Sequence, residues 1–62
     1  MNKEYLTPLM ISNILHLGMN QTYKLFQAPG FPAIKIGRKW LVEKEDFEKF
    51  IDELKGSTIQ LV

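Results

Sequence analysis

The segment Met19-Asn20-Gln21-Thr22-Tyr23-Lys24-Leu25-Phe26-Gln27 carries two amides, a phenol and an amine between Asn20 and Lys24, and a third amide at Gln27. An Asn or Gln amide holds a donor and an acceptor side by side and matches the edge of adenine. A lysine reaches guanine or phosphate, and a phenol donates to a phosphate oxygen. A second set, Lys35, Arg38 and Lys39, brackets the glycine of Ile36-Gly37-Arg38 and suits a polyanion. Covalent and metal chemistry have no comparable basis. The chain has no cysteine and a single histidine, His16, so thiolate sites, disulfides and a zinc cluster are excluded.

Sixty-two residues allow one domain, taken as residues 1–56 with a short apolar tail over 57–62. A chain of this size buries only about 60% of its unfolded surface, too little to support an enzyme cleft. The expectation is therefore a non-enzyme with no cofactor and no metal. No apolar run approaches the roughly 18 residues that span a bilayer. The opening MNKEYLTP lacks a signal-peptide pattern, which leads to an expectation of cytoplasmic location away from membranes.

The formal net charge is only +1, but it is unevenly distributed. Residues 5–42 carry Lys24, Lys35, Arg38 and Lys39 and no acid. Residues 43–62 carry Glu43, Glu45, Asp46, Glu48, Asp52 and Glu53 against Lys44, Lys49 and Lys55. A basic front and an acidic back suggest a polyanionic partner on one side.

The elements that must position these groups can be read in order. Thr7-Pro8 is an N-cap followed by proline at the first helical position, opening a helix over about 8–15 with Leu6 stapling its entry. His16-Leu17-Gly18 ends it, with His16 in a turn conformation of positive φ and Gly18 capping the next helix. That helix, about 19–27, turns Thr22, Leu25 and Phe26 inward and Asn20, Lys24 and Gln27 outward, with Gln21 and Tyr23 on the flanks. Ala28-Pro29-Gly30 closes it, and Phe31-Pro32 forces an extended exit.

The stretch PAIKIGRKWLV reads as a hairpin. A three-residue loop of Gly37-Arg38-Lys39 would set Ile36 opposite Trp40 and Ile34 opposite Val42, giving one apolar face and leaving Leu41 and Lys35 outside. A two-residue loop would set Trp40 opposite Lys35 and mix the faces, so the three-residue loop is expected. A last helix begins near Lys44 with the stripe Phe47, Phe50, Ile51 and Leu54, and stops at Gly56.

Helix, short turn, helix, cationic hairpin and packing helix together make a mainly helical α+β fold, a winged helix-turn-helix. In that fold the second helix enters the major groove of double-stranded DNA and the wing reaches backbone or minor groove.

The segments LTPLMISNILHLGMNQTYKLF and FPAIKIGRKWLVEKEDFEKFI resemble the small helix-turn-helix domains of the excisionase family, related to the MerR-type winged helix. The resemblance covers about residues 5–53. It implies DNA binding through the second helix and the wing, and an architectural or regulatory role in a prophage or mobile element. That role would be excisionase, with an integrase or recombinase as partner, or small transcriptional regulator. His16 stands where the family turn usually has glycine, Met19 where a basic residue is frequent, and Glu43 where proline is usual.

Plainer readings stand beside these. Tyr23 either meets phosphate or packs on the wing, and Lys35 either contacts DNA or is solvated. Trp40 is read as core. The acids of the last helix are read as a solvated surface. The same fold could also serve as a protein-interaction adaptor, with DNA secondary. One short helix reads few base pairs, so copies are expected to bind side by side and cooperatively. Leu41, Ile59 and Leu61 would supply the contact between neighbours, unless the tail instead folds back as a third strand over Leu41.

Overall fold

The computed structural model describes residues 3–56. Its elements run β1 (Tyr5–Leu6), α1 (Pro8–Leu15), α2 (Met19–Phe26), β2 (Ala33–Ile36), β3 (Lys39–Glu43) and α3 (Lys44–Glu53). Three helices and a small antiparallel sheet make the winged helix-turn-helix α+β fold expected from the sequence.

Local chemistry sets the helix ends. The Thr7 hydroxyl accepts from the Met10 N–H at 3.2 Å, and Pro8 occupies the first turn of α1. His16 closes α1 at φ 57°, the only positive φ of a non-glycine among the described residues, and its N–H donates to the Ser12 carbonyl. Gly18 is extended and caps α2 with its backbone. Its carbonyl accepts both the Thr22 N–H at 3.0 Å and the Thr22 hydroxyl at 2.9 Å. Thr22 is thereby fully buried with its polar group satisfied.

The sheet order is β1-β3-β2. The third strand thus comes from the N-terminal side, where Leu6 lies opposite Val42 and Tyr5 opposite Glu43. The expected roles of Ile59 and Leu61 lie outside the described residues.

The hairpin register corrects the expectation. Ile36 pairs with Lys39, Lys35 with Trp40, Ile34 with Leu41 and Ala33 with Val42, so the loop is Gly37-Arg38 and not a three-residue loop. Gly37 has φ 60° while Arg38 stays at negative φ, which suits a two-residue turn with glycine at its first central position. The apparent mixing of faces is resolved by Lys35. Its ammonium stands 4.9 Å from the centre of the Trp40 ring, so the lysine covers the half-buried indole on the inner side. Ile34 and Ile36 turn outward, the latter 62% exposed.

Leu6, Ile11, Leu25, Phe26, Phe31, Val42 and Phe47 form the core. Phe31, read in the sequence only as part of a loop exit, is its aromatic hub. Its ring lies 4.9 Å from Phe26, 5.0 Å from Phe50 and 6.5 Å from Phe47, and Phe26 in turn meets Trp40 at 6.2 Å. This chain of rings ties α2, the hairpin and α3 into one frame.

Candidate nucleic-acid interface

Helix α2 keeps its two faces apart. Thr22, Leu25 and Phe26 are buried, whereas Asn20, Gln21, Tyr23, Lys24 and Gln27 are exposed. The inward residues fix the helix against α1 and the aromatic cluster, so the polar side chains project from a rigid support. Lys24 also lies in the last turn, where a cation complements the helix dipole.

The hairpin adds a second set of groups beside α2. A cleft of about 280 Å³ is lined by Thr7 and Pro8 at the start of α1, Tyr23 of α2, and Arg38, Lys39, Trp40 and Leu41 of the hairpin. Tyr23, Arg38 and Lys39 are therefore brought together although they lie far apart in the chain. Thr7 and Pro8 were read only as helix-starting residues, and their place in the cleft follows from the strand pairing of Leu6 beside them.

Asn20, Gln21, Lys24 and Gln27 remain outside this cleft, on the exposed side of α2. Lys35, expected on the outer strand face, instead covers Trp40. Lys39 belongs to β3 and not to the turn, which leaves Arg38 as the cation of the turn itself.

Electrostatics favour an anionic partner on this side. Among the described residues the ion pairs are Lys3 with Glu43 at 3.7 Å and Lys55 with Asp52 at 3.4 Å. Neither involves Lys24, Lys35, Arg38 or Lys39, so the front cations are not neutralised by carboxylates within the described chain. Among those residues no group of His, Cys, Asp and Glu side chains is arranged to hold a metal ion. No helix there is long and apolar enough to cross a membrane.

A family model described as a helix-turn-helix domain matches residues 5–55. The chain belongs to this helix-turn-helix family. The family comprises small DNA-binding, excisionase-like domains, in agreement with the resemblance seen in the sequence. Comparison with curated proteins and with solved structures gives no match. For this helix-turn-helix domain, membership points to double-stranded DNA as the partner. The matched span takes in every element from β1 to α3, including the hairpin and the cleft.

Proposed function

We propose that this domain is a sequence-specific binder of double-stranded DNA. In this reading α2 lies in the major groove and the Gly37-Arg38 turn rests on the backbone or in the minor groove. The observation that carries the reading is the cleft joining Tyr23 to Arg38 and Lys39 beside the acid-free outer side of α2. Asn20, Gln21 and Lys24, with Gln27 at the helix end, read base edges. Tyr23, Arg38 and Lys39 hold phosphates and set the register. Lys35 adds charge near the wing while bracing Trp40.

The biological setting that fits such a small module is a prophage or mobile element. There it acts as an excisionase with an integrase or recombinase partner, or as a small transcriptional regulator. Footprinting on the element's own ends and on its promoters separates the two.

The adaptor reading rests on a different surface. Tyr5, Ile34, Ile36 and Leu41 share the outer sheet face, and the first three are exposed. In the DNA-binding reading this face serves as the contact between neighbouring copies, because it adjoins the wing and stays beside the duplex. An Ile34→Ser exchange, on the same face but outside the cleft, then lowers cooperativity on two adjacent sites and leaves single-site affinity unchanged.

Titration of a random duplex at several salt concentrations tests the whole proposal. With about three to five phosphate contacts, log K falls against log salt with a slope near −3 to −4. A slope of zero, or no binding at low salt, overturns DNA binding and favours the adaptor.

A further inference from the structure

A second depression, of about 280 Å³, lies between α1 and α3 and takes no residue from α2 or the hairpin. Its floor is apolar, formed by Leu6, Ile14, Leu15, Phe47 and Ile51. Ile14 is 52% exposed there, and Met10, one turn earlier on the same side of α1, is 45% exposed. These two side chains extend the apolar floor along one wall, and methionine adapts its shape to what it meets. The proposed DNA contacts leave this groove unused.

Charge selects the occupant. Glu48 and Asp52 stand one turn apart on the α3 rim, with Lys44 one turn before them. A polar hollow adjoins the groove at Lys44 and Glu48 and adds Glu4, Glu43 and Glu45 against Lys3. The two depressions together present five carboxylates and two ammonium groups. Glu43 is paired with Lys3 and Asp52 with Lys55, whereas Glu4, Glu45 and Glu48 have no ion pair among the described residues. Such a rim repels duplex DNA and anionic lipid and attracts a cationic chain. Two helices flanking an apolar trough suit a third, whose anchors recur at i, i+3 or i+4 and i+7. Phe47 and Ile51 lie about 6 Å apart along α3, so two turns of a partner helix cover both. We infer that this groove docks a short amphipathic helix of another protein, rich in lysine or arginine. Apolar anchors of that helix rest on Ile14 and Ile51, and its cations meet Glu48 and Glu45.

The test titrates the full chain, with isotope-labelled methyl groups, against a synthetic helix of about 14 residues. The peptide carries leucines at i, i+3 and i+7 and lysines on either side of them. Methyl signals of Ile14, Leu15 and Ile51 are expected to shift, and those of Ile34 and Ile36 to stay in place. Ile14→Ser and Glu48→Lys, both checked for folding by circular dichroism, should each weaken binding about fivefold. The Ile36→Thr control should bind as the parent does. Absence of shifts at the three groove methyls overturns the inference. So does equal binding of a scrambled peptide, or of one with glutamates in place of the lysines. Groove signals that move on dilution of the protein alone assign the groove to a second copy and overturn it as well. None of these readouts involves DNA, so failure here is separate from failure of the DNA-binding proposal.

Discussion

Helix α2 sends hydrocarbon one way and hydrogen-bonding groups the other, whereas the β2–β3 hairpin carries both kinds on each of its faces. On α2 the buried trio Thr22, Leu25 and Phe26 leaves one way to dock, and every polar residue except Thr22, whose hydroxyl is tied to Gly18, is aimed outward by default. On the hairpin the inner face holds Ala33, Lys35, Trp40 and Val42, and the outer face holds Ile34, Ile36, Lys39 and Leu41. Side-chain type alone cannot decide that register. The turn decides it, through a glycine that tolerates positive φ, and Lys35 makes the choice tolerable by laying its stem on an indole. The outward face of α2 can therefore be specified by amphipathicity, while the hairpin needs turn chemistry.

The sharpest way to break this contrast is to remove the ring that holds both regions. Phe31→Ala should cost about 3–5 kcal/mol, against a total stability on the order of 3–9 kcal/mol for a chain this short. Circular dichroism should then report a largely unfolded protein. A variant that remains folded with unchanged Tm would remove Phe31 as the hub.

Next in size come the proposed contacts on α2. Asn20→Ala and Lys24→Ala should each weaken binding to the specific site by about 1–3 kcal/mol. Arg38→Ala should instead weaken all duplexes alike and reduce the salt slope by about 1. Gel shifts on specific and scrambled duplexes compare the two regions directly. Equal discrimination by all three variants would contradict the division between reading helix and anchoring wing.

A smaller effect tests the turn. Gly37→Ala forces a side chain into positive φ and should cost about 1 kcal/mol, measurable as a lower midpoint in urea. No change would argue for the three-residue loop. The smallest expected effect is that of Ile36→Thr, within about 0.5 kcal/mol for an exposed position free of special features. Had Ile36 faced Trp40 from the inside, the same exchange would have been clearly destabilising.

The helices were legible because each has a periodic apolar stripe, and the start of α1 also has a capping side chain, Thr7. Thr7, Gly18 and Phe47 needed no tertiary information, and His16 at positive φ followed from the turn it had to make. The set of α2 residues facing outward was equally legible. What could not be read depended on partners distant in sequence. Strand β1 has only two residues, so its pairing with β3 leaves no periodic signal. Phe31 sits between Gly30 and Pro32, a context that marks a loop, yet three neighbouring rings make it core. The cleft was hidden for the same reason, since it unites the start of α1, one residue of α2, the hairpin turn and one strand.

The separation of basic front from acidic α3 also bears on how the molecule meets its target. A body with almost no net charge feels little pull at a distance, and at 0.1 M salt the field of a duplex fades over about 10 Å. Within that layer, however, opposite ends of the molecule are pushed in opposite directions. On the proposed DNA-binding reading, the result is a torque that rotates α3 away and brings α2 and Arg38 to the duplex before contact. Collisions that begin with the wrong side forward are turned rather than rejected, so the dipole acts as a keel and raises the share of productive encounters.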